Sequence, residues 1–226
     1  MTSVSPRYRP NISAVKERAM KALGSNRFFK AEIGKNYIRI LPGWDPEDPD
    51  GMFFADQVLH YGFELDGRNT TIPCSAAMVG EACPVCELMA WLEIQPGMDE
   101  LAKKFKPRMK VLYNVVDRKD GLVKIWATGP EKRETILSVM EEEDYRDILD
   151  PEQGRDWVLE RTGEGLATRY PSLQPRGNAS PIGVPWEDKL TNLKKEFVED
   201  IMPTRAEIIK IISDCYGGKF PISEIF

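Results

Sequence analysis

Residues 60–63 (HYGF), Cys74 and residues 83–86 (CPVC) decide how this chain is expected to fold. They contain the single histidine and three of the four cysteines of the 226-residue sequence, spaced as H-x13-C-x8-C-x2-C. Thiolates and imidazole are the usual ligands of structural zinc, and a C-x2-C turn can present two thiolates to one ion. The pattern therefore predicts one closed, structural Zn²⁺ site with the ligands His60, Cys74, Cys83 and Cys86.

Two other uses of these residues fit the pattern less well. A C-x2-C pair can serve as a redox dithiol, but thioredoxin-like proteins place it in a βαβ unit and need neither Cys74 nor His60. A catalytic zinc keeps one position open for water, whereas here four ligands are committed to the metal. Because His60 is the only histidine, no imidazole is left to act as a base, and we expect no enzymatic activity.

Charge is distributed unevenly along the chain. The net charge at pH 7 is −5, yet residues 1–39 contain nine Lys or Arg against two Glu, and residues 103–133 contain ten basic against three acidic residues. Residues 141–160 compensate with nine acidic residues against two Arg. Segregation of this size is typical of a protein that presents a positive surface to a polyanion such as nucleic acid.

The sequence lacks the features of a membrane or secreted protein. It has no apolar run of about 18 residues, which a membrane-spanning helix would need. Its first residues lack the apolar region of a signal peptide. We therefore expect a cytosolic protein, in a compartment where thiols stay reduced and free to bind metal.

Short strands joined by hairpins, with helices between and after them, predict an α+β, mainly β fold. This pattern suits a small antiparallel barrel better than a doubly wound sheet, and the five-stranded OB-fold is the leading candidate. We expect a basic arm and helix over 1–35, with the helix itself over 12–23. The OB-fold core is expected over 36–175, with an inserted zinc-binding subdomain at about 55–95, and a linker and C-terminal helices over 176–226.

The C-terminal part is expected to be helical after a loop. Residues 171–186 hold four prolines and two glycines and are predicted to be irregular. Helices are predicted over about 187–201 and about 204–215, and Thr204 and Glu207 form a capping box at the start of the second helix.

The strongest signal for nucleic acid after the zinc pattern is residues 103–110 (KKFKPRMK), where five positive charges surround one phenylalanine. Single strands are bound by a cationic groove that follows the phosphates, together with aromatic side chains on which bases stack. In a later strand, alternation places Lys124 and Trp126 on one face, which pairs a cation with a stacking surface. The candidates for phosphate contact are Arg39, Lys103, Lys104, Lys106, Arg108, Lys110, Lys124 and Arg169, and those for stacking are Tyr61, Phe63, Phe105, Tyr113, Trp126 and Tyr170.

Several of these segments together resemble a known family. The chain is similar to the single-stranded DNA-binding, or helix-destabilising, protein of T-even-type tailed phages in the order of IRILP at 38–42, HYGF, Cys74-Ser75, CPVC and a basic strand that ends with NVV at 114–116. The likeness continues through GLVK at 121–124 and the hairpin over 154–170, and it covers roughly 36–175. Its most specific part is the zinc pattern, in which each ligand position has a counterpart.

The resemblance implies an OB-fold that binds single-stranded DNA without sequence preference in phage DNA replication, recombination and repair. It also implies cooperative contacts between copies along the strand, replication and recombination proteins as partners of the C-terminal region, and a location in the cytoplasm of the infected bacterial host. The chain departs from the family at both ends. Residues 7–9 (RYR) match the family's basic N-terminal motif only loosely, and its long acidic tail has no counterpart before Phe226.

A protein-interaction role is the competing hypothesis. A zinc-ribbon adaptor in transcription or replication would bind partners through the acidic segment 141–160 and the C-terminal helices, with the basic stretch merely solvated. Single-strand binding that weakens steeply with salt separates the two hypotheses, because phosphate contacts release counterions. A nuclease would need clustered carboxylates for two-metal chemistry, and the sequence shows no such spacing.

Overall fold

The computed structural model describes residues 27–65 and 67–226 of the chain. Most of the predicted basic arm, and the whole predicted helix over 12–23, lie outside the described residues. The described part has an α+β architecture, with one sheet of seven strands, flanking helices and a buried cluster of one histidine and three cysteines. The α+β class is therefore confirmed. The strand pairings describe an open sheet, and a closed five-stranded barrel is not shown.

The sheet is mostly antiparallel. Its strands, in chain order, are β1 (Gly34–Ile40), β2 (Phe54–Leu65), β3 (Arg68–Pro73), β4 (Arg108–Asp117), β5 (Leu122–Thr128), β6 (Arg155–Thr162) and β7 (Arg169–Ala179). The order across the sheet is β3-β2-β4-β1-β6-β7, and β5 pairs with β4 off this path. A parallel bridge between Phe28 and Ile125 adds the start of the described chain to β5.

Strand β4 organises the sheet because it has neighbours along both edges. One edge pairs first with β2, up to Tyr113, and then with β1, from Val115 to Asp117. The other edge pairs with β5 through a hairpin. All residues from Val111 to Asp117 are buried, which is the pattern of a strand that is covered on both faces.

Helices surround the sheet and build the region around the cysteines. They are α1 (Ser75–Met78), α2 (Pro84–Glu93), α3 (Asp99–Lys104), α4 (Pro130–Met140), α5 (Arg205–Tyr216) and α6 (Ile222–Ile225). Helix α5 begins with the predicted capping box between Thr204 and Glu207. Both groups of that box make their hydrogen bonds, which satisfies amides that a helix start leaves unpaired.

The sheet buries apolar side chains on both faces. The main core lies on one face, where α4 contributes Ile136. Each large apolar side chain that leaves water stabilises the fold by about 1.5–3 kcal/mol, so two covered faces hold the central strands firmly. The main core includes Ile38, Ile40, Tyr113, Val115, Trp126, Trp157 and Leu159. The opposite face packs Leu41, Leu112, Val116 and Ile125 against Ile182, Leu193 and Val198.

The cover on the opposite face comes from residues 182–198, and the helix predicted over 187–201 is present only in part. The structure has a 3-10 turn at Glu187–Lys189 and a short helical stretch over 193–199, of which Lys195–Glu199 is a π-helix. The buried Asn114 amide explains the irregular backbone, because it donates to the Thr191 carbonyl oxygen at 2.9 Å and accepts from the Thr191 amide at 3.1 Å. An extended segment can offer both groups to one side chain, whereas a helix uses them internally.

The predicted loop over 171–186 is also partly wrong, since strand β7 runs to Ala179. Its prolines favoured a loop in the sequence. Among the described strands β7 is the last in the sheet order and pairs with β6 alone, and an edge strand tolerates prolines such as Pro171 and Pro175. Across residues 27–65 and 67–226, no helix combines the length and the apolar character that crossing a membrane requires.

Candidate metal centre and the basic surface beside it

The four predicted zinc ligands meet in the interior. The Sγ atoms of Cys74, Cys83 and Cys86 and one ring nitrogen of His60 lie within 4.8 Å of one another. Cys86 is half-buried and the other three are buried. All four cysteines of the chain belong to the described part and are free thiols. The structure therefore shows a buried His/Cys₃ group that is positioned to bind one metal ion, without a disulfide.

The separations between these atoms fit a tetrahedral site. Metal bonds of about 2.3 Å to sulfur and about 2.0–2.1 Å to nitrogen place two sulfurs about 3.8 Å apart, and a sulfur and a nitrogen about 3.6 Å apart. The Sγ atoms of Cys74 and Cys86 are 3.7 Å apart. The Nε2 atom of His60 lies 3.4 Å from the Cys83 sulfur and 3.6 Å from the Cys86 sulfur. The ligand set can therefore accept an ion with little rearrangement.

One strand and two helix starts deliver the ligands. His60 comes from β2, at an irregularity in the pairing with β3 between His60 and Phe63. Cys74 follows β3, and its amide donates to the Val58 carbonyl oxygen at 2.9 Å. Cys83 precedes α2 and Cys86 lies in its first turn, with a proline at the first helical position. The positive end of the α2 dipole favours thiolates at both positions.

The thiols differ in how readily they lose a proton. Burial opposes ionisation of Cys83, but its hydrogen bond with His60 and the amides of α2 outweigh burial and lower its pKa to about 6. Burial, followed by the charges of Cys83 and Cys74, raises the pKa of Cys86. Burial also raises the pKa of Cys74. Three thiolates in this space repel one another, so their joint ionisation needs a cation among them.

An aromatic cluster supports the ligands from behind. The Nδ1 atom of His60 lies 2.6 Å from the Phe105 carbonyl oxygen, which orients the ring so that Nε2 faces the thiols. The Phe105 ring stacks on Phe63 at 5.0 Å between centroids and meets Tyr216 of α5 edge-on at 5.3 Å. The Tyr216 hydroxyl donates to the Gly62 carbonyl oxygen at 2.5 Å. Helix α5 therefore fixes the two backbone segments that hold His60.

A row of exposed cations borders this cluster, and we call it the basic surface. It consists of Tyr61, Lys104, Lys106, Arg108 and Lys110. The Arg108 guanidinium lies 5.2 Å from the centre of the Tyr61 ring, within the range of a cation–π contact. Its four cations are exposed and form no ion pair with any carboxylate of the described residues. Lys103 stands next to the surface, but Glu100 engages it at 2.6 Å.

Helix α4 contacts both β4 and the β6–β7 hairpin. Lys132 donates to the Tyr170 carbonyl oxygen at 2.8 Å. The next residue, Arg133, approaches the Met109 sulfur at 3.7 Å and pairs with Asp56. Because side chains alternate along β4, this contact lies on the face opposite to Arg108 and Lys110. Tyr170 is 39% exposed and Arg169 beside it is exposed, and both stand apart from the basic surface.

Six of the fourteen predicted nucleic-acid contacts lie in the interior. A buried ring has no free face for a base, and a buried cation has no path to a phosphate, so these side chains do not form a contact surface in this structure. They are Arg39, Phe63, Phe105, Tyr113, Lys124 and Trp126. The remaining eight are at least partly accessible, namely Tyr61, Lys103, Lys104, Lys106, Arg108, Lys110, Arg169 and Tyr170.

The β5 strand shows why the sequence misplaced two of them. Lys124 and Trp126 do share a face, but that face is the main core. Trp126 packs against Tyr113 at 5.5 Å, and the Lys124 ammonium binds the carboxylates of Asp117 and Asp120 at 2.7 and 2.5 Å. Residues 182–198 cover Ile125 on the other face, and the exposed residues of β5 are Leu122 and Ala127, near its ends.

Arg39 is buried for a similar reason. Its guanidinium donates to the Ser180 carbonyl oxygen and lies 3.5 Å from the Asp156 carboxylate. Asp156 also pairs with Arg118 at 2.7 Å. Arg118 donates in turn to the carbonyl oxygens of Pro181 and Ile182. Two arginines thus fasten the segment after β7 across the sheet, which no local pattern indicates.

Two residues of interest were missed by the sequence reasoning. Leu166, at the tip of the β6–β7 hairpin, is fully exposed, next to the predicted contacts Arg169 and Tyr170. The two glycines at 163 and 165 could have indicated this tight hairpin tip in the sequence, and in the structure both adopt positive φ values. Tyr216 carries no comparable signal, because its contact with Gly62 joins residues 154 positions apart.

Comparison with known proteins adds no relative to this description. No protein-family model matches the chain, and no curated protein matches it either.

Proposed function

We propose that this protein binds single-stranded DNA without sequence preference. The observation that carries the proposal is the basic surface, which has four exposed cations without a carboxylate partner among the described residues, one of them in contact with a half-buried tyrosine ring. Exposed cations can neutralise phosphates, and each phosphate contact on a single strand lowers the slope of log affinity against log salt by about 0.7. No pattern of base-edge donors is needed for such binding.

The aromatic part of the proposal rests on Tyr61 and Tyr170. Stacking of one base on an aromatic side chain contributes about 1–3 kcal/mol and tolerates any base, because every base has a π-face. Single strands expose these faces, whereas a duplex hides them between stacked pairs. Leu166 at the hairpin tip adds an exposed apolar side chain next to Tyr170. This combination favours single strands over duplex DNA.

In this proposal the metal is one structural Zn²⁺. Sulfur-rich tetrahedral sites favour zinc, and four protein ligands leave no open position for a substrate. The ion would be held by the three thiolates and His60, and it would lock β2 and α2 together beside the basic surface. The sheet would correspond to an elaborated OB-fold, in which β4 passes from β2 to β1.

The proposal places the protein in phage DNA replication, recombination and repair in the cytoplasm of an infected bacterium, on the strength of the resemblance in its sequence. Cooperative contacts between neighbouring copies, and binding of replication and recombination proteins through the C-terminal region, belong to the same proposal. Helix α5 is in contact with the metal region in this structure, so any such partner would bind its exposed side. That side includes Lys210 and Asp214.

A titration with oligo-dT tests the proposal. Intrinsic fluorescence of Trp and Tyr is followed at low and moderate salt, with duplex DNA of equal length as the comparison. We expect tight binding of the single strand that weakens steeply with salt and is nearly absent with duplex. Arg108→Gln should reduce the salt slope by about 0.7, while Lys210→Gln on α5 serves as the matched control and leaves it unchanged.

The outcome also decides between the two hypotheses from the sequence. If oligo-dT leaves the fluorescence unchanged and does not bind in a separate gel-shift assay, the single-strand proposal is wrong. The His/Cys₃ site would then stabilise a protein-interaction adaptor. Equal binding of single-stranded and duplex DNA would also contradict the proposal, since stacking on Tyr61 requires unpaired bases.

A further inference from the structure

A second positive site lies at the opposite end of β4. It is a cleft of about 940 Å³ between residues 28–37, the β4–β5 hairpin and residues 176–181. The ten residues of β4 from Arg108 to Asp117 are nine steps along an extended strand and span about 30 Å. The cleft is therefore separate from the basic surface, and none of its lining residues belongs to that surface.

The charges that line the cleft leave a positive surplus. Six lining residues are basic and four are acidic. Each of the four carboxylates already has a cation, since Lys119 pairs with Glu32, Lys124 with both hairpin aspartates, and Arg118 with Asp156. The lining cations that have no carboxylate partner within the described part of the chain are Lys30, Lys35 and Arg176. The chain as a whole carries −5, so this surplus is local and not a general property of its surface.

The floor of the cleft adds a fourth positive group. Arg39 lies directly behind two lining residues, because it donates to the Ser180 carbonyl oxygen and stands 3.5 Å from the Asp156 carboxylate. Its side chain is fully buried, and its Nε and Nη1 atoms have no hydrogen-bond acceptor among the described residues. Burying such a group without acceptors costs free energy. Asp156 faces both Arg39 and Arg118, and the charge of Asp150 also acts on Arg39, so the positive surplus of the cleft rests mainly on Lys30, Lys35 and Arg176.

The wall of the cleft carries an accessible aromatic ring. Tyr37 is 42% exposed, and the Arg176 guanidinium lies 5.4 Å from the centre of its ring. The guanidinium lies over one face of the ring, so a cation and an aromatic surface stand together in the wall. A ligand with a phosphate and a planar ring can use both, because the guanidinium pairs with phosphate oxygens while the ring stacks.

We propose that this cleft binds a nucleotide, with its phosphate at Lys30, Lys35 and Arg176 and its base against Tyr37. The ligand chemistry is that of a nucleoside phosphate, which can come from a free nucleotide or from one unit of a DNA strand that extends beyond the basic surface. The site accepts either source by the same contacts. Its charge, its volume and its aromatic wall stand independently of the basic surface.

The experiment uses the full-length, metal-loaded protein and two probes. Binding of labelled thymidine triphosphate is measured by equilibrium dialysis, and binding of short and long oligo-dT is measured by fluorescence anisotropy. The test variant is Lys35→Gln combined with Arg176→Gln, both at exposed positions, and the single variant Lys35→Gln guards against a folding defect. Arg108→Gln in the basic surface and Lys210→Gln on α5 are the controls.

A free-nucleotide site predicts that thymidine triphosphate binds, that the double variant weakens this binding by about tenfold or more, and that Arg108→Gln leaves it unchanged. A strand site predicts instead that the double variant weakens long oligo-dT and leaves short oligo-dT unchanged. If neither probe responds to the double or the single variant, the proposed site is wrong. Binding of the triphosphate without any binding of oligo-dT would overturn the single-strand function and leave this site intact.

Discussion

The ring of His60 and the backbone of Phe105 meet at 2.6 Å, between Nδ1 and the carbonyl oxygen. The other ring nitrogen faces the thiols of Cys83 and Cys86. A metal ion bound by this group and the Phe105 carbonyl would therefore fix the same imidazole from opposite sides. Because Phe105 lies between Lys104 and Lys106, the position of the basic surface depends on the order of the metal centre.

Removal of the metal should consequently affect both stability and DNA binding. A chelator that strips the ion is expected to lower the Tm by about 10 °C or more, which corresponds to roughly 3–5 kcal/mol in a protein of this size. Oligo-dT affinity should fall with it, and added zinc should restore both. Circular dichroism melting and anisotropy provide the measurements. An unchanged Tm after elemental analysis has shown complete loss of metal would contradict this prediction.

The cysteines supply a matched pair of variants for the same question. Cys83→Ser removes one ligand and should reduce metal content below one equivalent and lower the Tm. Cys215→Ser removes the cysteine that lies outside the cluster and should leave metal content at one equivalent. Retention of one equivalent and of the original Tm by Cys83→Ser would show that this thiol is not a ligand.

Tyr61 and Trp126 separate surface stacking from core packing. Tyr61→Ala should weaken oligo-dT binding by about 1–3 kcal/mol, because it removes a stacking ring and the partner of Arg108. Trp126 is 4% exposed, so Trp126→Phe should lower the Tm and leave the affinity of the folded protein unchanged. Anisotropy titrations below the Tm of each variant measure the oligo-dT affinity, and circular dichroism melting measures the Tm. Loss of affinity in Trp126→Phe with none in Tyr61→Ala would reverse this assignment.

The metal centre could be predicted from the sequence because it depends on ligand type and spacing. Four donors within 27 residues have few ways to meet, and the pattern alone selects them. The strands, the hairpins and the capping box at Thr204 likewise depend on residues that are close together in the sequence. In each case the information lies within a few residues of the feature.

Local sequence patterns could not show which of the predicted nucleic-acid contacts are exposed to solvent. Alternation assigns Lys124 and Trp126 to one face but does not say what covers it. The answer depends on residues 182–198, in which Thr191 lies 77 positions after Asn114 and exchanges two hydrogen bonds with its amide. Buried Arg39 depends on Asp156 and Ser180 in the same manner. A segment that packs on the sheet from a distant part of the sequence has no hydrophobic periodicity of its own by which it could be recognised.

Tyr216 should stabilise the metal region through its hydroxyl. Tyr216→Phe removes the hydrogen bond to Gly62 while keeping the ring that packs on Phe105, so the expected loss is about 1 kcal/mol in the free energy of unfolding. Urea unfolding measures it. Tyr145→Phe is the control, because the Tyr145 hydroxyl has no hydrogen-bond partner among the described residues. Equal stabilities of the two variants would assign Tyr216 a packing role only.

Asp156 should be the most sensitive charged residue of the sheet. Its carboxylate is the anion shared by Arg39 and Arg118, and Arg39 is fully buried. Asp156→Ala leaves that guanidinium without a counter-charge, and breaking a buried pair in this way costs about 3–5 kcal/mol. Glu160→Ala, four residues along β6 at a half-buried carboxylate without an ion pair among the described residues, should change stability by less than about 0.5 kcal/mol.

Urea unfolding measures the stability loss in both single variants. A double variant then tests whether the loss comes from the unpaired charge of Arg39. Replacing Arg39 by Met in the Asp156→Ala background removes the stranded charge and should recover part of the lost stability, because an apolar side chain of similar length is tolerated where an unpaired cation is not. A loss below about 1 kcal/mol for Asp156→Ala would mean that the carbonyl oxygen of Ser180 alone satisfies Arg39. No recovery in the double variant would show that Arg39 contributes through its packing and not through its charge.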